Sequence, residues 1–394
     1  MKSKKILGLL SIIVLAAIIA IVFKVYPREQ ETVNENEGTQ TVKTISFTER
    51  SYILATGDKV SLSLNSEEES VTYTSSNPEA VQVSETGEVT ALKKGNALIT
   101  ATSGDAVAYC GIMVDLESTL FELTDKKISP HVDRAILTMP SIHQQFVIDD
   151  ATGDIYFLQK YDETPSDVIA TRYCADGTQE WMRFIDFGHG SGLALEREED
   201  GSVYLWLTSD ADVNELAVSL SRILWEPGKV YQEDGGDVFV FPDVNTTPIP
   251  YIDAENNLLC VRGKKGVVQE FYFYDLDCVK EGDLNPLHSF ELLGGVSDEE
   301  PLYYSFQGMA VSGQYLYYYE GAPSVQPKIS IWDMQGNLVS IDSVPDEIYS
   351  DLNWNGGEGY WEPEGLDIYQ GQLYLGMASN PGGNRRASVF VYEK

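Results

Sequence analysis

Basic residues are scarce in this chain. Its 394 residues hold 27 Lys and Arg against 61 Asp and Glu, a formal net charge of −34. Such a field repels phosphate backbones, which excludes nucleic acid as a partner and any broad basic surface for an anionic polymer. Local basic pockets stay open, for example around Arg385 and Arg386. The acidity itself reads as solubility at an exposed cell surface. Histidine and cysteine are also few, with four of each and no CxxC pair, so neither a metal nor a cofactor is expected. Cys260 and Cys278 could meet on neighbouring strands of one sheet. Spacing does not show it, and buried free thiols are the expected state of these two and of Cys110 and Cys174. Nucleophile elbow, HExxH and phosphate-binding glycine loop are all missing. So is any long helical period after the N-terminal region.

What is present favours strands. Tyr (23) outnumbers Phe (14), Trp adds 6, and 33 Gly and 16 Pro supply turns. With 43% apolar residues the chain can bury a large core. The one long apolar run lies at the start. Lys2, Lys4 and Lys5 precede a charge-free stretch from Ile6 to Phe23, ending at Lys24. A helix of that length spans roughly 27 Å, near the hydrocarbon thickness. The following Lys-Val-Tyr-Pro-Arg is a poor cleavage site. The run therefore reads as an uncleaved signal anchor (residues 1–26). Its basic flank would be cytoplasmic and the rest of the chain extracellular, a single-pass cell-membrane protein. Residues 27–43 are polar and read as a flexible linker.

From 44 to about 115, short alternating strands such as Val60–Leu64, Val81–Val83 and Ala97–Ala101 are separated by turn residues at Gly57, Pro78, Gly87 and Gly95. This predicts a β-sandwich with its own core. The stretch Val71–Thr102 carries Ser-Asn-Pro, then Val81-Gln-Val83, then Thr86-Gly-Glu-Val-Thr-Ala91, Gly95 and Ala97-Leu-Ile-Thr-Ala101. It resembles the bacterial immunoglobulin-like (Ig-like) group 2 family. That resemblance implies a stalk or adhesion module, which would fold alone and only set distance.

From about 125 to 394 a unit recurs: a polar or glycine start, an apolar strand, a turn, then an aromatic strand. Starts fall at 144, 188, 250, 307 and 364. Spacings of roughly 45 to 60 residues suit one four-stranded blade each. An all-β chain follows, with an anchor, a sandwich and a five-bladed β-propeller. A large β-sandwich is the alternative for the last part. Four segments carry a further likeness: His143–Asp149 with Ile155–Gln159, Phe187–Glu196 with Val203–Trp206, Phe306–Ala310, and Trp361–Gly376. They resemble the propeller family that includes teichoic-acid-biosynthesis-protein-C-like proteins, receptor-binding propellers of some staphylococcal phages, and helveticin J-like bacteriocins. The resemblance implies recognition of a cell-surface polymer.

In a propeller the innermost strands line a central channel. The repeat starts would then bring Gln144, Gln145, His189, Gln307 and Glu364 to one end of it. There they could hold sugar hydroxyls, or else tie blades together. Trp354, Tyr360 and Trp361 flank Gly356, Gly357 and Gly359 and could stack on sugar rings, or else pack a blade-joining loop. A catalytic alternative pairs Glu196 with Glu364 for glycan cleavage. The expected partner is an envelope glycan or teichoic-acid-like polymer, with membrane contact through residues 6–23. An adhesion protein that binds another protein is a further alternative.

Overall fold

The computed structural model describes residues 44–394, apart from 66–69, 162–163, 165, 213–214, 233–235, 245, 324, 346–347, 349–360 and 381–384. The expected anchor and linker lie outside the described residues. Among the described residues no helix is long and apolar enough to cross a membrane.

The first part is the expected sandwich. One sheet runs in the order Ser51–Leu54, Ala106–Val114, Gly95–Ser103, Thr72–Ser75; the other joins Lys59–Ser61, Glu88–Ala91 and Val81–Val83. Alternation places Val81, Val89, Ala97, Ile99, Cys110 and Ile112 in one shared core. Gly87 turns the hairpin at φ +78°, a conformation that suits glycine.

The rest is a ring of five sheets. Blade 1 comprises His143–Ile148, Ile155–Lys160, Val168–Tyr173 and Gln179–Phe184, with Val230–Tyr231 added parallel at its edge. Blade 2 is Leu193–Arg197, Val203–Ser209, Ser219–Leu224 and Asp237–Phe239; blade 3 is Ile249–Asp253, Leu258–Lys265, Val268–Asp275 and His288–Leu293. Blade 4 is Ser305–Ser312, Tyr315–Ala322, Val325–Asp333 and Leu338–Ser343. Blade 5 has only three strands from the C-terminal end, Trp361–Tyr369, Gln372–Ser379 and Arg386–Tyr392. Its fourth, Ile128–Ala135, comes from before blade 1 and pairs antiparallel with Arg386–Tyr392. The repeat pattern missed this strand because its sequence, ISPHVDRA, carries a proline and little apolar alternation. Pairing Ile128–Ala135 with Arg386–Tyr392 covers the outer edge of the latter and closes the ring by backbone hydrogen bonds between its two ends.

One repeat start also moves. The stretch 188–192 is a connection rather than a strand, because Gly188 and Gly190 both take positive φ (+75° and +84°); the inner strand of blade 2 starts at Leu193. The ambiguous segment after Asp212 resolves into the strand Ser219–Leu224.

Apolar layers lie between blades. Leu158, Phe184 and Leu205 join blades 1 and 2, while Trp206, Leu259 and Tyr274 join 2 and 3. Tyr317, Leu375 and Phe390 belong to a layer that spans blades 3, 4 and 5, and Phe146, Phe157 and Val389 join 5 to 1.

The Ig-like domain is not a detached stalk. Its Leu98 and Met113 belong to the same core layer as Leu287 of blade 3. Asn96 donates to the Asn256 carbonyl (2.9 Å), and Ser51 meets His288 Nδ1 at 2.6 Å. The following segment is stitched to blades 3 and 4: the Glu117 N–H donates to Asn256 (2.8 Å), the Thr119 N–H donates to Ser312 (2.9 Å), and the Tyr317 hydroxyl donates to the Thr119 carbonyl (2.7 Å). The approach is so close that a Cβ on Gly111 would stand 1.8 Å from the Leu287 carbonyl oxygen. The Ig-like domain therefore covers the side of blades 3 and 4 that carries the Asn256 and Gly313 turns. The opposite ends of the blades, where the inner strands begin, lie away from these contacts.

Candidate functional site

The predicted channel residues are only partly together. Gln145, Gln307 and Glu364 sit on inner strands of blades 1, 4 and 5 and are buried. Gln145 Nε2 donates to the Gln307 carbonyl (3.0 Å), and Gln307 Nε2 donates to the Gly321 carbonyl (3.2 Å). Glu364 is fully enclosed, and burial, reinforced by Glu362, pushes its carboxyl well above the ordinary range. Deeper in, Asp367 accepts from the Ile148 N–H (2.7 Å), the Ile368 N–H (2.9 Å) and the Tyr251 hydroxyl (3.2 Å). Burial raises its carboxyl to about 7 in spite of those donors. The void that remains, among Gln145, Phe146, Leu193, Tyr251, Met309 and Asp367, measures about 10 Å³. That is room for one water at most. The channel is a packed axis. Gln145, Gln307 and Asp367 are bonded to neighbouring strands, as most buried polar groups are. Gln144, next to Gln145, is half-buried.

His189 is elsewhere. It lies in the blade 1–blade 2 connection with 53% of its side chain exposed, and its Nδ1 is 3.0 Å from Glu215 Oε2. Lys160 reaches the other oxygen of Glu215 at 2.5 Å and, together with His189, holds that carboxyl below its usual range. The misplacement follows from the glycine turn that delays the blade 2 strand. Trp361 is buried as the first residue of the blade 5 inner strand, opposite Ser379, and is a core residue rather than a stacking platform. Trp354 and Tyr360 lie outside the described residues.

The postulated carboxylate pair is not a free pair either. Glu196 is buried, yet its carboxyl is lowered, because Arg222 (2.7 Å), Lys280 (2.9 Å) and the Trp206 N–H (2.8 Å) outweigh the desolvation. The Lys280 bond staples blade 2 to blade 3. Asp149 does the same between blades 1 and 2 through Arg197. Cys110 and Cys260 are buried free thiols, and Cys174 and Cys278 are free and half-buried. Among the described residues no group of His, Cys, Asp or Glu is arranged to hold a metal.

The large concavity is on the flank. A groove of about 990 Å³ separates the outer strand of blade 4 (Leu338–Ser343) from the closing strand of blade 5 (Ile128–Ala135). Its apolar lining comes from Leu123, Ile128, Pro130, Ile341 and Phe390, and its polar lining from Thr124, Asp125, Lys126, Lys127, Asp133, Arg134 and Asp342. A volume of this order is that of a ligand site, though the lining is more polar than is usual for one. Thr124 ties the connecting segment to the blade 4 wall by donating to Asp342 (2.5 Å). Sequence reasoning missed this groove because its two walls stand some 200 residues apart in the chain. The only local signal is the Lys126-Lys127 pair in an otherwise acidic sequence.

A family profile described as the phage five-bladed β-propeller receptor-binding platform domain matches residues 142–391. The chain belongs to this family. The platform is preceded by a match to the bacterial Ig-like domain (group 2) at residues 41–110. Among solved structures, the tail fiber of Staphylococcus aureus phage P68 matches with a TM-score of 0.56 at 20% identity, covering 69% of this chain and 54% of that one. At that identity the likeness speaks for the platform's fold alone, and the chain spans about half the length of the fiber protein. TolB from Acinetobacter baumannii matches at 11% identity over 75% of this chain and 59% of that one, with a TM-score of 0.32 too low to carry an argument. No curated protein sequence matches the chain.

Proposed function

We propose that this receptor-binding platform is displayed on a bacterial surface, held by the apolar segment 6–23, and recognises an envelope glycan or teichoic-acid-like polymer. The observation that carries the reading is the family match across 142–391, joined to an Ig-like domain that packs on one side of blades 3 and 4. The acidity supports a solvated, exposed location. The packed channel directs attention to the outer surfaces of the blades.

The test uses the full-length chain in detergent and isolated cell-wall sacculi, before and after hydrofluoric acid treatment, which cleaves phosphodiester-linked polymers. Sedimentation with untreated sacculi and release after treatment is the expected result. Equal binding after treatment redirects the reading to peptidoglycan, and no sedimentation with either sinks it. Protease added to intact protoplasts checks the topology: release of a fragment beginning within residues 27–43 is expected, and full protection of the platform overturns the surface display.

A further inference from the structure

We infer that the groove between blades 4 and 5 is the seat of the ligand, and that it takes uncharged glycosyl units rather than phosphate groups. The inference deepens the proposed function and rests on it.

Charge is the first ground. The chain carries −34, yet the groove lining holds Lys126, Lys127 and Arg134 against Asp125, Asp133 and Asp342, a local balance of zero. A phosphodiester chain needs cations in excess, ideally arginine forks free to grip it. Here Arg134 is held by Asp133 at 2.9 Å and Lys127 by Glu393 at 3.0 Å. Half-buried Lys126 enters no ion pair among the described residues, and this one ammonium stands against the two remaining carboxylates, Asp125 and Asp342. Sugar hydroxyls both donate and accept, so alternating ammonium and carboxylate groups match them on both counts.

The second ground is the apolar strip. Ile341 is 36% exposed on the blade 4 wall, and Pro130, Ile128 and Phe390 line the same groove. The C–H faces of pyranose rings are apolar and pack on such surfaces, whereas a phosphate gains nothing there.

The full-length chain, in a detergent without a sugar headgroup, is applied to an array of uncharged hexose and N-acetylhexosamine oligosaccharides and to immobilised poly(glycerol phosphate). The best-retained oligosaccharide is then titrated by calorimetry. Retention of an uncharged oligosaccharide, unchanged between low and high salt, is expected. Ile341→Trp, which fills the groove from an exposed position, should weaken it at least tenfold. Asp342→Asn should weaken it about three- to tenfold, the span of one lost hydrogen bond.

Retention of poly(glycerol phosphate) alone, lost at high salt, overturns the sugar assignment in favour of the phosphate. Equal affinity in wild type and Ile341→Trp overturns the location. No retention of any uncharged oligosaccharide overturns the inference. Sacculus binding separates these failures: variants that bind sacculi like wild type leave the receptor reading standing without the groove, and a wild type that binds no sacculi removes the reading itself.

Discussion

The ring contains two polar regions of opposite character. Along the axis, Gln145, Gln307, Glu364 and Asp367 are buried, bonded strand to strand or raised toward neutrality, around a void of about 10 Å³. On the flank, Asp125, Lys126, Asp133 and Asp342 line about 990 Å³ of open groove. The axis uses polar groups to hold blades at one spacing. In the groove, Asp125 and Lys126 enter no ion pair among the described residues. Polarity at the start of an inner strand is thus a mark of assembly, and availability has to be judged from the space around a group.

The sharpest way to break the contrast is to overfill the axis. A Cβ on Gly308 would stand 2.7 Å from the Leu366 nitrogen and 2.8 Å from the Gly365 carbonyl carbon, both backbone atoms. Gly308→Ala should therefore cost roughly 2–3 kcal/mol of unfolding free energy in a denaturant titration. Glycan affinity per folded molecule should stay unchanged; loss of affinity at constant stability would return the axis to the list of sites.

Asp367 gives the axis a pH signature. Its folded value of about 7 stands above the ordinary 3.8, so between those values the folded state binds more protons than the unfolded one. Its contribution is most favourable below about 4, is lost progressively as pH rises toward 7, and is level above that. Asp367→Asn should remove this slope. The variant should gain on the order of 3 kcal/mol relative to wild type between pH 4 and 7. Melting curves taken at both ends of that window measure the difference, and parallel pH profiles would mean that Asp367 is not held in this way.

Gln307→Ala is the milder probe. It removes the donor to the Gly321 carbonyl and leaves that acceptor buried, at a cost of about 1–2 kcal/mol. A calorimetric melt and a ligand titration on one sample distinguish blade joining, in which the melt shifts alone, from recognition, in which the affinity shifts. His189→Ala should do least. Its pair with Glu215 is exposed, and such pairs contribute less than ~1 kcal/mol. A drop in melting temperature as large as that of Gln307→Ala would show that the blade 1–blade 2 connection is structurally important.

Much of the fold was legible. Alternation in Val81–Val83 and Ala97–Ala101 marks sandwich strands, and recurring aromatic strands such as Val203–Leu207 and Leu316–Tyr319 mark four of the blades' second strands. The site was not legible, for reasons that particular residues show. Gln307 and His189 look alike as polar residues at repeat starts. A pair of positive-φ glycines beside His189 moves it to the surface, while Gln307 stays on its strand.

What the sequence determined by itself is local: which stretches are strands, where they turn, how many units repeat, and the strong negative charge. Each of these follows from residue types within about ten positions of one another. The tertiary structure alone decided three things: that Ile128–Ala135 closes blade 5, that the Ig-like domain docks through Leu98 and Met113 onto blade 3, and that Lys126 and Asp342 line one groove. These are contacts between segments far apart in the chain. Shape complementarity and the burial of long-range apolar surface select them, and neither leaves a periodic trace in the order of residues.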